Sequence, residues 1–197
     1  MAKETTRQRI LTEALKLFSK EGYEAVSVEQ IANAVGVKAP SLYKHYKSKR
    51  DIFRSILQVM EQRDRENAAA CSLPEETMEL APQAYEQSSV ADLIAFSKMQ
   101  FRYWTEDEFA SAFRKTLTVE QYRCEEMNRL YHQYLGAGPL SYVADLLGSQ
   151  EEALLLYGPM HMLYSVYDEA TDKASVLALL DTHLERWKNE ISPQRKV

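Results

Sequence analysis

The chain has 197 residues, of which 45% are hydrophobic and 27% charged, and these values are ordinary for a globular protein with a sizeable core. No apolar run approaches the roughly 18 residues of a membrane span. The charged start MAKETTRQR lacks the apolar core of a signal peptide, so we expect a cytoplasmic protein without a membrane partner. Cys71 and Cys124 stand far apart without partners at metal spacing, which favours reduced thiols over a disulfide or a metal site.

Charge is divided unevenly along the chain. Residues 1–54 hold eleven Lys and Arg against six Asp and Glu, a net charge of +5, whereas the remainder carries −10. Such asymmetry is expected when only one end of a protein meets phosphates, although ordinary solvated surfaces often show it as well.

The N-terminal segment begins with two predicted helices. Apolar residues at helical spacing predict a first helix over residues 5–20, and Gly22 is placed to end it. Ser27 and Gln30 form the pattern of a capping box, in which each side chain bonds the backbone N–H of the other. A short second helix is therefore predicted from this box to Gly36.

A third and a fourth helix follow. Pro40 is favoured at a first helical position and predicts a helix that reaches Tyr46. Ser48 and Asp51 indicate the capped start of a helix that extends to about residue 70. Two short helices joined by a glycine turn are typical of a helix-turn-helix, and cations on the outer side of the second suit a DNA major groove. Two short helices packed in an ordinary bundle would show the same spacing.

The rest of the chain is also predicted to be helical. Helices are expected over residues 89–104, 107–117, 119–134, 140–147, 150–168 and 173–191, with a looser connection over residues 71–88 and a break over residues 136–139. The chain is therefore predicted to be all-α, with about nine to ten helices in total.

The middle of the chain is rich in aromatic residues and methionine. Most such side chains form core, but a largely apolar cavity with a few polar anchors is a fair hypothesis. The candidate ligand-binding residues are Gln100, Tyr103, Trp104, Phe113, Gln121, Tyr122, Tyr131 and Tyr164.

Several short motifs near the N-terminus keep the spacing of one known family pattern. They are Ile10 to Ala14, Leu17-Phe18, Gly22-Tyr23, Ser27 to Ala32, Gly36-Val37 and Ser41 to Lys49. With this spacing residues 7–57 resemble the TetR family of one-component regulators. The resemblance implies an all-helical homodimer in which residues 1–54 form a three-helix helix-turn-helix DNA-binding domain. Residues 55–197 would form a helical ligand-binding and dimerisation domain, reached through helix four from residue 48.

The resemblance also implies a function and its contact residues. The family members are sequence-specific transcriptional regulators, usually repressors that a small ligand, here apolar or aromatic, releases from a palindromic operator. Carried over by position, the DNA-binding residues are Lys38, Ala39, Pro40 and Ser41 at bases, Tyr43, His45 and Lys49 at phosphates, Lys44 at either, and Ser27 at the backbone. Ala39 and Pro40 offer no side-chain hydrogen bonds, so we expect modest direct readout and more reliance on DNA shape.

The last two predicted helices carry small and apolar stripes. Such stripes could pack inside the subunit, but by resemblance they form half of a four-helix dimer interface, since a two-fold operator requires a two-fold protein. The predicted interface residues are Leu154, Tyr157, Gly158, His161, Met162, Ser165, Leu177, Leu180, His183, Leu184 and Trp187.

One alternative to a ligand-released repressor remains open at this point. The same DNA-binding fold could lack a small-molecule switch and act through a protein partner or as an activator. An enzyme is not expected, because the four histidines show no ligand spacing and no nucleophile elbow or phosphate-binding loop occurs. No cofactor is expected either.

Overall fold

The computed structural model describes residues 5–70 and 90–191, and within these ranges every regular element is a helix. The helices are α1 (Thr6–Glu21), α2 (Val28–Val35), α3 (Ala39–Leu42), α4 (Lys49–Ala70), α5 (Val90–Glu106), α6 (Glu108–Glu120), α7 (Glu125–Tyr134), α8 (Ala137–Leu147), α9 (Gln150–Glu169) and α10 (Lys173–Ile191). The all-α class is thus confirmed. Cys124 is a free, half-buried thiol, whereas Cys71 and the connection expected over residues 71–88 lie outside the described residues.

The described residues fall into two compact units. The first unit holds residues 5–70 and 108–131, and the second holds residues 90–107 and 132–191. The first unit therefore includes α6 together with the four N-terminal helices. The predicted division into domains of residues 1–54 and 55–197 stays a prediction.

Local signals set the ends of the short helices in the first unit. The Ser27 hydroxyl accepts a hydrogen bond from the Gln30 amide at 3.1 Å, and the Gln30 side chain accepts one from the Ser27 amide at 2.7 Å. The predicted capping box is thereby confirmed. Gly36 ends α2 in a left-handed conformation with a φ of 77°, a backbone state that glycine adopts without strain.

The core of the first unit is built around α1. Its buried face consists of Ile10, Leu11, Ala14, Leu15 and Phe18. This face lies towards α2, α4 and α6, all three of which pack against α1. Fully burying an aliphatic or aromatic side chain of this size contributes roughly 1.5–3 kcal/mol, so α1 supplies much of the stability of the unit.

The third helix is shorter than predicted. The sequence favoured a helix from Pro40 to Tyr46, but α3 ends at Leu42. Tighter turns follow, in which the Lys44 amide donates to the Ser41 carbonyl at 3.3 Å and the His45 amide to the Leu42 carbonyl at 2.8 Å. The chain thereby continues compactly to Tyr46, which is buried.

Two other predicted boundaries were wrong. A break was expected near Thr118, yet α6 continues to Glu120, because the hydroxyls of Thr116 and Thr118 donate to carbonyls four residues earlier at 2.8 and 2.9 Å and so remain compatible with the helix. Helix α8 begins at Ala137, inside the expected break. Pro139 is tolerated in its first turn, where no backbone N–H is needed for helix bonds.

The second unit packs α9 against α5, α8 and α10. Phe101 of α5 stacks on Tyr164 of α9, with ring centroids 5.3 Å apart. The Trp187 indole N–H donates to the Glu152 carbonyl at 3.3 Å, which joins α10 to α9. No helix in the described part of the chain is both long and apolar enough to cross a membrane.

The stability of the first unit should depend on the ionisation of Asp64 in α4. Burial raises the pKa of this carboxyl from 3.8 to about 6, and the nearby Glu61 adds to the rise. Because the folded chain holds this proton more tightly, Asp64 lowers stability progressively as the pH rises from about 4 through about 6. We expect Asp64→Asn to raise the free energy of unfolding by about 1 kcal/mol at pH 7.5 and to change it little at pH 4.

Urea unfolding at both pH values measures this difference. Glu66→Gln is the matched control, because the exposed Glu66 carboxylate only accepts a hydrogen bond from Gln62 at 2.8 Å. An equal gain from Asp64→Asn at both pH values would contradict the assignment.

Candidate nucleic-acid interface

The segment from Lys38 to His45 presents a polar outer surface. Leu42 and Tyr46 anchor it, being 0% and 1% exposed. The exposed side chains are Lys38, Pro40, Tyr43, Lys44 and His45, with Ala39 and Ser41 half-buried between them. Each residue predicted to face DNA over this segment thus keeps some accessible surface.

Two arginines of α1 hold the helix-turn-helix in place. The Arg7 guanidinium donates from Nε to the Tyr46 hydroxyl at 3.1 Å and lies 5.1 Å from the centroid of its ring. Arg9 donates from Nη2 to the Val35 carbonyl at 2.6 Å, at the end of α2. Sequence reasoning missed both roles, because their partners stand 39 and 26 residues away along the chain.

Ser27 stands at the start of α2, where it was predicted to contact the DNA backbone. Its hydroxyl caps the helix, as described above, and the side chain is exposed. A hydroxyl that accepts one hydrogen bond still has its own hydrogen to donate. The Ser27 hydroxyl can therefore still donate the hydrogen bond predicted for a DNA phosphate.

Lys49 departs from its predicted role. Its ammonium donates to the carbonyls of Tyr23, Glu24 and Val26 at 2.7, 3.2 and 2.9 Å, and it lies 4.5 Å from the centroid of the Tyr23 ring. An ammonium has three hydrogens, and three carbonyls take them. In this structure Lys49 therefore holds the loop before α2 and has no donor left for the predicted phosphate contact.

The start of α4 is capped as the sequence indicated. The Ser48 hydroxyl accepts from the Asp51 amide at 3.1 Å, and the Asp51 carboxylate accepts from the Lys47 amide at 3.0 Å. The next cation, Arg50, pairs with Glu126 at 3.4 Å. Lys38, Lys44 and Lys47, which flank α3 in the sequence, are exposed.

The candidate ligand-binding residues divide between the two units. Gln100, Tyr103, Trp104 and Tyr164 belong to the second unit, and Phe113, Gln121, Tyr122 and Tyr131 belong to the first. Trp104, Phe113, Gln121 and Tyr164 are buried, and Tyr131, whose pKa burial raises, is hydrogen-bonded to Gln121. Tyr122 is 88% exposed, because α6 ends before it, so it lines no enclosed cavity here.

The predicted interface residues of α9 and α10 also divide, by burial. Leu154 and Met162 are 57% and 72% exposed, and Ser165 is exposed as well. The half-buried members are Tyr157, Gly158, His161, Leu177 and His183.

Three predicted interface residues of α10 need correction. Leu180, Leu184 and Trp187 are at most 3% exposed, because they pack inside the second unit, and they have almost no surface to offer a partner. Exposed apolar residues that the prediction omitted are Leu155 and Val166 on α9 and Leu179 on α10. Both sets lie on apolar stripes, so periodicity alone did not separate them.

Comparison with known proteins identifies the N-terminal segment. Residues 10–56 match the family described as bacterial regulatory proteins, tetR family. The transcriptional regulator AcrR of Shigella flexneri is 45% identical over 56 residues, which are 28% of this chain and 26% of that protein. The transcriptional repressor ComR of Escherichia coli K12 is 43% identical over 51 residues, 26% of this chain and 24% of that protein. The chain thus spans about a quarter of the length of these curated relatives.

Solved structures extend the likeness to the whole fold. A TetR-family regulator from Bordetella parapertussis superposes with a TM-score of 0.65 at 18% identity, covering 94% of this chain and 95% of that one. The fatty acid degradation regulator FadR from Bacillus halodurans gives a TM-score of 0.61 at 14% identity, covering 95% and 96%.

All of these matches are to regulators of transcription, and on that ground the expectation that the chain is not an enzyme is confirmed. Residues 10–56 thus carry the pattern of the tetR family of bacterial regulatory proteins, and the fold of the described chain is that of solved TetR-family structures.

Proposed function

We propose that this protein is a sequence-specific DNA-binding transcriptional regulator that acts in the cytoplasm as a homodimer on a palindromic operator. The observation that carries the proposal is the exposed surface from Lys38 to His45, which the buried Leu42 and Tyr46 anchor. Cations and hydroxyls on a short helix after a glycine turn are the groups that read a major groove and its phosphates.

The chemistry of this surface suggests how it reads DNA. Lys38, Ser41 and Lys44 can donate to base edges or phosphates, and Tyr43 and His45 can donate to phosphates. Ala39 and Pro40 can contact thymine methyl groups only. Specificity should therefore come partly from DNA shape and deformability.

An exposed apolar stripe supports the homodimer. Leu155, Met162 and Val166 follow one another at helical spacing on α9 and are 53%, 72% and 42% exposed. Gly158 lies between them, and a Cβ built there would meet only the Leu154 side chain, at 3.6 Å. A glycine in such a stripe allows a second helix to approach closely, and apolar stripes of this kind mark interaction surfaces.

We also propose that a small apolar or aromatic effector releases the DNA, so that the protein acts as a repressor. Aromatic side chains on α5 and α9 support this effector class, since Tyr103 lies against Trp104 and Phe101 against Tyr164. A thermal-shift screen over diverse metabolites tests the proposal. Stabilisation by none of them would favour the alternative, a regulator of the same fold that answers to a protein partner or acts as an activator.

Selection of binding sites from random duplex DNA is the experiment that tests the function. We expect an inverted repeat whose half-sites are one helical turn or a multiple of it apart, bound more weakly as salt rises. Binding to no duplex at low ionic strength would overturn the proposal.

On the selected operator, Lys44→Ala should weaken binding roughly tenfold, because it removes an exposed cation from the proposed DNA surface. Arg102→Ala is the matched control. It also removes one positive charge, but from the second unit, where Arg102 pairs with Glu106 at 2.8 Å. Fluorescence anisotropy with labelled operator measures both variants. Equal losses of operator affinity in the two variants would show that binding depends only on the net charge of the protein and not on the position of Lys44.

Met162→Glu should raise the dissociation constant of the homodimer at least tenfold, because it places a charge in the apolar stripe of α9 that the dimer would bury. Analytical ultracentrifugation across protein concentrations measures the equilibrium. Ser141→Glu on α8 is the control, because it adds the same charge at an exposed polar position. A dimer of unchanged strength in Met162→Glu would place the interface elsewhere.

A further inference from the structure

The loop between α1 and α2, residues 22–26, is held by charged residues of two other helices. Lys49 of α4 donates to three of its carbonyls, as described above. In addition, Oε1 of Glu120, at the end of α6, accepts a hydrogen bond from the Tyr23 amide at 3.0 Å. All of these groups belong to the first unit.

The loop leads directly into the start of α2. Lys49 binds the carbonyl of Val26, and Val26 immediately precedes Ser27, the capping residue of α2. The Gln30 side chain of the capping box also donates to Glu21 at 3.1 Å, at the end of α1. Whatever fixes the loop therefore fixes where Ser27 and the first amides of α2 are presented.

The Glu120 contact is enclosed. Its side chain is 1% exposed, and Arg123 pairs with it at 3.4 Å. A Cβ at Gly22, where φ is +87°, would come within 2.6 Å of Oε1. Glycine therefore serves two needs at this position, the backbone conformation and the close approach of a buried carboxylate. A buried carboxylate is stable only with donors around it, and the Tyr23 amide is one of them.

We propose that Lys49 and Glu120 are positioning residues for DNA binding, which together clamp residues 22–26 and thereby set the start of α2 against the operator. This inference rests on the proposed DNA-binding function. It assigns to Lys49 an inward role in place of a phosphate contact, and it gives a DNA-binding role to Glu120, a residue that carries the wrong charge to touch DNA.

The salt dependence of binding separates the two roles of Lys49. A residue that neutralises a phosphate releases a counterion, so its loss lowers the slope of log affinity against log salt by about one. A positioning residue lowers affinity without this change. We expect Lys49→Met to weaken operator binding about tenfold with the slope unchanged, whereas Lys44→Ala lowers the slope by about one. A slope lowered equally by Lys49→Met would overturn the proposal.

Lys49→Arg provides a second discrimination. Arginine keeps the charge, but its planar fork cannot direct three hydrogens to the same three converging carbonyls. It should therefore bind the operator as weakly as Lys49→Met if Lys49 is a positioning residue. Full affinity in Lys49→Arg would instead indicate a phosphate contact.

Glu120 is tested by the pair Glu120→Ala and Glu120→Gln. The first removes the acceptor for the Tyr23 amide, and the second retains an oxygen there. We expect several-fold weaker operator binding in Glu120→Ala and recovery of most of it in Glu120→Gln. Glu125→Ala, an exposed carboxylate at the start of α7, is the control and should leave affinity unchanged.

Hydrogen exchange tests the clamp without DNA. Exchange of the amides of residues 22–30 should accelerate in Lys49→Met and Glu120→Ala, while those of α10 remain protected as in the wild type. Unchanged exchange over residues 22–30 would overturn the clamp even if DNA binding is found. Accelerated exchange in a protein that binds no duplex would mean that the proposed function, and not the clamp, has failed.

Discussion

The helix-turn-helix of this protein depends on the apolar face of α1. Helix α2 has eight residues and α3 has four, and helices this short are not stable in water on their own. Their buried residues, Ile31, Ala32, Val35 and Leu42, need a surface to cover them. Helix α1 packs against α2, and α2 packs against α3. The position of the exposed surface from Lys38 to His45 therefore depends on the packing against α1.

The short helices also need support from basic residues, which fall into two groups, exposed cations and cations bonded to backbone carbonyls. Cations that face solvent, such as Lys38 and Lys44, keep their hydration and remain able to bind phosphates. Arg9 and Lys49 instead donate to carbonyls at the end of α2 and in the loop before it. These carbonyls carry partial negative charge, so the two inward cations stabilise the backbone on either side of α2.

The features that sequence predicted well depend on neighbours along the chain. The capping box of Ser27 and the stop at Gly36 involve residues within four or five positions, and the structure has both. The role of Lys49 involves partners 23 to 26 residues away, and no periodicity encodes them. A positional comparison with a family transfers a residue type, but it does not say whether the donors of that residue are already taken.

The same limit applies to α10, where the sequence shows apolar residues but not which way they point. Leu179 is 56% exposed while its neighbour Leu180 is 2% exposed, since successive residues of a helix are turned by about 100°. The packing of α10 against α9 and α5 decides between them. With Leu180, Leu184 and Trp187 packed inside the second unit, the exposed apolar residues of α9 around Gly158 remain for the proposed contact with a second copy. A dimer built on that stripe would be formed by helices whose inner faces are already complete, so each subunit could fold before it pairs.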